Sequence, residues 1–380
     1  MLDLLIGILI GLIILVVLVV VHELGHAIVA SRNGIIVDEF GIGLPPKAWS
    51  KKLKNGTIFS INWLLIGGFV KLKGEYDESR GEGEYGSASF WQKTKVLFAG
   101  VFFNILFACL IVSALALMGL PKLVDDQFYV KQDAVIEYSL VELTSIEDGS
   151  AADVAGLTHG DRIISFAGQK IDTDKQLISL IEKNPNQIIE IVYQRENQQL
   201  ITKAKITVEN NLGRLGIGMA QQQSIRSTWS APIVGIVTTA QFTRDTVKGI
   251  TNLFTSLFKN LALRLSPDNV AKQQASVELG EIGSQVTGPI GIVGVIFPAA
   301  RQAGFGQVML LAAIISISLA VMNILPIPAL DGGRWLTLVT FRLIKKKLTI
   351  ALENRIQTIG FLVIIAIALL VTILDVKKIL

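Results

Sequence analysis

Residues 16–34 read VVLVVVHELGHAIVASRNG and close an apolar run that begins at Leu4. Two of the chain's three histidines, His22 and His26, lie in this stretch, and Glu23 directly follows the first. Ionisable side chains at membrane depth cost roughly 2.5–3.5 kcal/mol each on insertion scales, so they usually mark a functional site. The stretch therefore predicts chemistry at the end of a membrane-spanning helix.

Composition agrees with a membrane setting. The 380 residues are 51% hydrophobic and 17% charged, whereas soluble domains average about 25% charged residues. The net charge of +4 is mild, and the basic residues cluster beside apolar runs. We interpret them as topology signals, so the expected surroundings are a lipid bilayer and no nucleic-acid partner is expected. The single cysteine, Cys109, cannot form an internal disulfide.

Four uncharged runs are long enough for the roughly 30 Å hydrocarbon core, which takes about 20 helical residues. No basic residue precedes the first run, which argues against a secretory signal peptide. Pro326 and Pro328 should break the third run near its end. The predicted spans are Leu4–Val21, Val96–Leu120, Gln302–Leu330 and Ile356–Leu374.

Two further uncharged runs, Ser227–Thr243 and Ile282–Ala300, are ambiguous. The second contains GPIGIVG, whose glycines and proline favour a loop or re-entrant segment. Apolar residues over 254–261 follow the spacing of an amphipathic helix lying on a membrane. Residues 223–301 are therefore predicted to form an amphipathic and re-entrant connector.

Lysine and arginine predict the orientation. Residues 32–95 hold ten of them and residues 334–355 hold six, and such segments usually face the cytoplasm. The N-terminus, the C-terminus and the long middle region are then extracytoplasmic. Four spans also bring the end of the first and the end of the third to the same side of the membrane.

Residues 124–222 have a different character. Strand-like runs alternate with turns, and TDKQLISLIEKN at 173–184 has the pattern of a short amphipathic helix. This segment predicts a compact α+β domain inserted between the second and third spans. Residues 1–123 and 302–380 then form the two parts of the membrane core, the first with spans 1 and 2 and the second with spans 3 and 4.

The two histidines are four positions apart, so they share one face of a helix. An H-E-x-x-H arrangement suits zinc, with two imidazole ligands and a glutamate that handles the proton of a water. The best candidate for a third ligand is Asp331 in NILPIPALDGGRW, because irregular backbone at membrane depth is tolerated where it lines a cavity. Asp331 could also cap the following helix, and the two roles are compatible. His159 fits a solvated turn of the inserted domain.

HELGH at the end of the first span, NILPIPALDGG at the end of a later one and the domain between them resemble the site-2 protease family of intramembrane zinc metalloproteases. Within it the chain is most similar to the bacterial regulator-of-sigma-E protease group, over essentially its whole length. The resemblance implies Zn²⁺ as cofactor, with His22, His26 and Asp331 as ligands and Glu23 as the catalytic glutamate. It also implies that Asn323 helps to hold substrate.

GGFVKLKGE, Gly67–Glu75, resembles a membrane-associated β-hairpin near the active site of this family. The Gly67-Gly68 pair suits a turn or bend, and the residues after it suit a strand edge that could hold an extended substrate. GPIGI at 288–292 resembles a family loop that precedes the third span. The predicted substrate-binding residues of the hairpin are Gly67, Gly68, Phe69, Val70 and Lys71.

The inserted domain resembles a PDZ domain, most clearly over Gly149–Ile171. Family members usually have proline where Ala151 stands, and the sigma-E group typically carries two such domains where this chain shows one. AGVFFN around Asn104 also departs from the Gly-Pro of many relatives. These departures bear on how substrates are admitted and on the subgroup to which the chain is most similar. They do not affect the catalytic residues.

Together these features predict a polytopic α-helical membrane protein of about four transmembrane helices, with a membrane-associated β-hairpin and an inserted extracytoplasmic α+β PDZ-like domain. The resemblance implies a protease of the bacterial cytoplasmic membrane. Its substrates would be single-span proteins of the anti-sigma-factor or remnant-signal-peptide type, with peptide or protein tails as possible PDZ ligands. A zinc transporter fits less well because the other spans lack a relay of ionisable residues. A membrane scaffold that only bound partner tails through the PDZ-like domain, without catalysis, would not need Glu23 beside the metal.

Overall fold

The computed structural model describes residues 2–379 except 77, 197, 265–268 and 286–287. Long helices alternate with a β-hairpin and a set of short strands. The helices are α1 (Leu2–Arg32), α2 (Phe90–Met118), α3 (Ala151–Val154), α4 (Asp174–Lys183), α5 (Ala231–Arg264), α6 (Asn269–Gln285), α7 (Pro289–Gly291), α8 (Phe297–Ala303), α9 (Phe305–Ile324), α10 (Asp331–Leu343) and α11 (Ile350–Ile379).

The strands fall into the hairpin near the N-terminus and the region between α2 and α5. They are β1 (Val37–Lys52), β2 (Ile58–Leu72), β3 (Leu120–Pro121), β4 (Val135–Tyr138), β5 (Val141–Ile146), β6 (Arg162–Phe166), β7 (Gln169–Lys170), β8 (Ile188–Arg195), β9 (Gln198–Lys205), β10 (Thr207–Glu209), β11 (Leu212–Arg214), β12 (Ile217–Ala220) and β13 (Gln223–Arg226).

Four helices of the described chain, α1, α2, α9 and α11, are long and apolar enough to cross a membrane by length and composition. This confirms the prediction of four long apolar helices. The third is shorter than the predicted run, because α9 begins after Gly304, whose φ is +114°, and ends at Ile324. Pro326 and Pro328 lack the N–H groups that would continue the helix.

In the ambiguous run Ile282–Ala300, Val286 and Thr287 lie outside the described residues, and the chain is helical from Pro289 onward. The prediction that GPIGIVG favours a loop over a helix is therefore wrong for most of this stretch. Between α7 and α8 the chain forms one π-helical segment, Ile292–Ile296. Its continuation packs closely on α1, because a Cβ built at Gly7 would lie 2.6 Å from the Cα of Pro298. The other ambiguous run becomes the first part of α5.

Strands β1 and β2 form an antiparallel hairpin whose turn lies at residues 53–57. Gly67 and Gly68 are therefore inside β2 and not in the turn. Gly67 has φ +95°, a conformation open to glycine, in a strand pair with several register shifts. The predicted bend is thus a distortion within the strand. Next to it β2 lies against α1, since a Cβ at Gly68 would be 3.6 Å from Cγ of Glu23.

The chain divides into two compact units, one formed by residues 1–115 and 235–380 and the other by Ala116–Val234. The second, called the inserted unit below, has its main sheet in the order β12-β5-β6-β8-β9, with β7 beside β6. Thr173 caps α4 by accepting a hydrogen bond from the N–H of Gln176. Phe166, Leu177 and Ile191 are fully buried, so this unit has a hydrophobic core of its own.

Candidate metal centre

The site is built where α1 and α2 approach each other closely. A Cβ at Gly25 would lie 2.6 Å from the backbone oxygen of Ala99, so only glycine at this position of α1 permits the contact. Both helices are apolar along their length, and apolar helices in a bilayer associate where small residues let their backbones approach closely. The approach places the next residue of α2, Gly100, beside the imidazole rings of α1.

The structure brings His22, His26 and Asp331 together. Nε2 of His22 lies 3.1 Å from Nε2 of His26 and 3.1 Å from Oδ2 of Asp331. The distance from His26 Nε2 to the same carboxylate oxygen is 3.4 Å. These are the three candidate ligand atoms, and His22 itself is buried at 8% exposure.

The sides of this triangle are within about 0.2 Å of those in a tetrahedral zinc site. Tetrahedral zinc with Zn–N and Zn–O bonds of about 2.0–2.2 Å separates its ligand atoms by about 3.3–3.5 Å. Two imidazoles and one carboxylate are also among the donor sets that catalytic zinc uses, with one coordination position left for water or substrate. The residues present therefore fit a zinc ion in both chemistry and spacing.

Gly100 leaves the space that the ion needs. A Cβ built there would lie 2.6 Å from Nε2 of both His22 and His26. A methyl group would thus press on the two nitrogen atoms that face the third ligand. The absence of a side chain at this position keeps the metal-facing side of the rings open.

The other ring nitrogens point to α2. Nδ1 of His26 lies 2.7 Å from the backbone oxygen of Val96, which can only accept, so this contact leaves Nε2 of His26 unprotonated for a metal. Nδ1 of His22 lies 3.4 Å from the amide nitrogen of Asn104. Asn104 is fully buried, its Oδ1 has no hydrogen-bond partner, and Ser316 donates to its backbone oxygen at 2.9 Å.

Rotating the Asn104 amide by half a turn would exchange its two terminal atoms. Oδ1 would then accept a hydrogen bond from Nδ1–H of His22, and the unpartnered oxygen would be satisfied. That arrangement is the usual one around a metal-ligating histidine. It assigns Asn104 the task of orienting His22.

Asp331 begins α10, and two glycines allow the helix start to pack on the chain before it. A Cβ at Gly332 would lie 2.0 Å from the oxygen of Ile324, and one at Gly333 would lie 1.9 Å from the oxygen of Ile327. The backbone between α9 and α10 is therefore folded tightly under the aspartate. Leu330 occupies the N-cap position of α10, so Asp331 is the first residue of the helix and not its cap. The side chain of Asp331 contacts the two histidines.

Arg334, one turn after Asp331, ties this region to two other elements. Its guanidinium lies 3.3 Å from a carboxylate oxygen of Glu75, which follows β2, and 3.4 Å from Glu353 of α11. It also stacks over the ring of Tyr85 at 5.1 Å. Glu353 is 1% exposed, so this is a largely buried ion pair, and removal of one partner would leave an uncompensated charge.

Glu23 lies on α1 between the histidines and the hairpin. The backbone N–H of Val70 in β2 faces its carboxylate. β2 pairs with β1 on its other side, and the hairpin has no third strand among the described residues. The free edge of β2 is therefore directed toward Glu23.

Two other predicted residues belong to other elements of the chain. Asn323 is in the last turn of α9, and its amide donates to the oxygen of Leu319 at 3.0 Å. His159 is exposed in the inserted unit. The sequence interpretation missed Val96, Gly100 and Asn104, because their roles depend on which residues of α2 meet the rings.

The sequence matches the model of peptidase family M50 over residues 10–368. The regulator of sigma-W protease RasP of Bacillus subtilis is 26% identical over 444 aligned residues, which cover 94% of this chain and 95% of that protein. The zinc metalloprotease RasP of Geobacillus kaustophilus is 24% identical, with 94% of each chain covered. A Clostridium perfringens protein provisionally called zinc metalloprotease CPE1693 is 29% identical, again with 94% of each chain covered.

Among solved structures, the PDZ domain of an SdrC-like protein from Listeria monocytogenes matches 24% of this chain and 94% of its own length. Its sequence identity is 20% and its TM-score is 0.20.

Proposed function

The chain belongs to peptidase family M50, the site-2 protease family, and is a multi-pass zinc metalloendopeptidase; we propose that it hydrolyses peptide bonds of membrane-spanning substrates within or beside the bilayer. The observation that carries the proposal is the convergence of His22, His26 and Asp331 at the end of an apolar helix of spanning length. A zinc site at that depth can serve a peptide bond in a membrane.

In this proposal His22, His26 and Asp331 hold the metal. Zinc, when bound, supplies a Lewis acid for water and for the scissile carbonyl. Glu23 accepts a proton from the attacking water and then donates it to the leaving nitrogen. The backbone oxygen of Val96 accepts a hydrogen bond from Nδ1–H of His26 and so fixes that ring. The side-chain oxygen of Asn104 does the same for Nδ1–H of His22.

Substrate presentation is proposed to use the hairpin. A peptide bond in a helix is shielded because its carbonyl is hydrogen-bonded along the chain, so cleavage needs a locally extended segment. The free edge of β2 can hold such a segment by main-chain pairing, and its direction toward Glu23 supports this role. The proposed substrate-binding residues are Gly67, Gly68, Phe69, Val70, Lys71 and Asn323.

The proposal extends to the membrane location, the orientation and the substrates of the protein. The protein lies in the bacterial cytoplasmic membrane, with the N- and C-termini and the inserted unit outside the cytoplasm, as the lysine and arginine distribution favours. Substrates are single-span proteins of the anti-sigma-factor or remnant-signal-peptide type. The name of the Bacillus subtilis relative, a regulator of sigma-W protease, supports the first of these classes. The inserted unit acts as a PDZ-like filter that binds tails or excludes bulky substrates.

A cleavage assay tests the proposal. The purified full chain is incubated with a designed single-span protein, and zinc is measured in the same samples. Glu23→Gln should abolish cleavage while keeping about one zinc per chain, because the base is lost and the ligands are not. Glu82→Gln, an exposed carboxylate after the hairpin, is the matched control and should cleave at the wild-type rate. Normal proteolysis by Glu23→Gln would refute the mechanism.

A further inference from the structure

A basic cavity of about 340 Å³ lies in the unit formed by residues 1–115 and 235–380, called the membrane unit below, and its lining includes none of the candidate metal ligands. It opens between the start of α2, the end of α10 and the segment that leads into α11. Among the described residues, five cationic side chains and one carboxylate, Glu78, line it together with apolar residues. The cations are Arg80, Lys93, Arg342, Lys346 and Lys347.

Glu78 is the one carboxylate in the described lining, and it accepts a hydrogen bond from the N–H of Ile350 at 3.0 Å. Lys93 and Arg80 both donate to the backbone oxygen of Gly86, at 2.9 and 2.6 Å, which fixes these two cations in place. In the described part of the lining, cations outnumber carboxylates five to one.

The three other cations have no carboxylate within ion-pair distance among the described residues. The guanidinium of Arg342 stacks on the ring of Phe90 at 4.6 Å, while Lys346 and Lys347 are exposed. Repulsion among cations so close together disfavours an empty cavity. An anion bound between them would remove that repulsion.

The cavity lies at the level where two candidate spans begin. Phe90 starts α2 and Ile350 starts α11, so the boundary between water and hydrocarbon runs past its lining. Trp91, 70% exposed beside it, is a residue type enriched at that boundary. The N-terminus of α2 carries a partial positive charge, which adds to the positive charge at this side of the cavity.

The lining is amphipathic. Phe90, Leu338, Phe341 and Leu348 supply apolar surface next to the cations. A phosphate group with attached acyl chains matches both parts, and basic pockets between membrane helices are known sites for anionic headgroups. A soluble anion or an acidic peptide would use the charges only. From this combination we propose that the cavity binds the headgroup of an anionic glycerophospholipid.

The proposal is tested on the purified full chain in neutral detergent. Native mass spectrometry measures binding of short-chain phosphatidylglycerol and phosphatidylcholine. The wild type should retain the anionic lipid and bind the zwitterionic one at least tenfold more weakly. The variant Arg342→Gln/Lys346→Gln/Lys347→Gln should bind phosphatidylglycerol about 100-fold more weakly, because three interfacial cations are lost.

Two matched variants separate the site from general charge and folding effects. Lys175→Gln/Lys203→Gln/Lys205→Gln removes the same charge from exposed positions of the inserted unit and should bind like the wild type. Arg342→Lys/Lys346→Arg/Lys347→Arg keeps the charge and should retain most of the affinity. Equal weakening by both neutralised variants would overturn the proposal.

Two further arms test the other occupants. Inorganic phosphate and a hexaglutamate peptide are titrated as competitors against bound phosphatidylglycerol. Neither should displace it at millimolar concentration, because neither provides acyl chains for the apolar lining. Displacement by phosphate at the lipid's own concentration would assign the cavity to a soluble anion, and displacement by the peptide would assign it to an acidic protein segment.

Discussion

Nε2 of His22 and Oδ2 of Asp331 lie 3.1 Å apart although 309 positions separate them in the chain. The first residue belongs to the N-terminal helix and the second to the start of α10. The candidate metal centre thus joins the first and last parts of the membrane unit, and its geometry depends on how α2 and the α9–α10 connection pack between them.

Gly100→Ala should reduce bound zinc by at least about tenfold, because the new methyl group would lie 2.6 Å from Nε2 of both histidines. Elemental analysis of purified protein measures the occupancy. Gly249→Ala in α5 is the matched control, since nothing lies within 4 Å of a Cβ at that position. Unchanged zinc content in Gly100→Ala would show that the rings do not face the ion across Gly100.

Asn104→Leu should weaken zinc binding by about 10–100-fold, the usual effect of losing a group that orients a ligating histidine. Asn104→Asp keeps an acceptor for Nδ1–H of His22 and should restore most of the affinity. Competition with a fluorescent chelator measures both values. If Asn104→Leu and Asn104→Asp had equal zinc affinity, the residue would serve packing alone.

Val70→Pro should slow cleavage of a helical substrate by at least about tenfold, because proline removes the N–H that β2 directs toward Glu23. A substrate with a Gly-Pro pair at the cut site is already extended there and should be much less affected. Zinc content checks that the site stays intact. An equal loss on both substrates would point to general damage and against a substrate clamp.

Cysteines introduced at Ser87 and Lys170, one at a time in a Cys109→Ala background, should react with a membrane-impermeant reagent from opposite sides. Both positions are exposed. In intact cells only the cysteine at position 170 should react, because the lysine and arginine distribution predicts a cytoplasmic location for residue 87. Reaction of both would contradict the proposed orientation.

Asp161→Asn should destabilise the inserted unit by about 2–3 kcal/mol at pH 7. The carboxylate of Asp161 is buried and accepts two hydrogen bonds from Arg195, each at 2.7 Å. Burial alone would raise the pKa of Asp161, but these bonds and the N–H of Thr158 hold it below its usual value. Asp172→Asn, at an exposed ion pair with Lys170, should change stability by less than about 0.5 kcal/mol.

The contribution of Asp161 to the stability of the inserted unit should decrease as the pH falls. The folded unit binds the proton of Asp161 more weakly than the unfolded chain does, so ionisation favours folding above the unfolded pKa of about 3.9. This contribution is lost as pH falls through the lower folded pKa. Hydrogen exchange in the full chain should show a clear difference between wild type and Asp161→Asn at pH 7 and a smaller one near pH 3. A difference that grew toward acid would contradict the assignment.

The parts of the site that could be predicted from the sequence are those carried by local patterns. His22, Glu23 and His26 share a helix turn, and helical spacing alone brings the histidines together. Asp331 required the resemblance of NILPIPALDGG and an argument from span number. The strand character after Gly68 was also readable, although the glycines lie in a distorted strand and not in a turn.

The contacts of α2 could not be predicted. Val96 and Asn104 meet the histidine rings across sequence separations of 70 and 82 residues. Both lie in a uniformly apolar helix, whose sequence does not indicate which face meets α1. The ion pair of Arg334 with Glu353 likewise depends on where α11 packs. Such details are determined by side-chain packing, for which composition and periodicity carry no signal.

The position of Asp331 late in the chain has a consequence for biosynthesis. When the ribosome has made the first two helices, both histidines are present but their carboxylate partner, 309 positions after His22, has not yet been translated. A growing polypeptide therefore cannot assemble the hydrolytic centre while it is still being threaded into the lipid. The set of three candidate ligands is complete only after Asp331, the first residue of α10, has been translated.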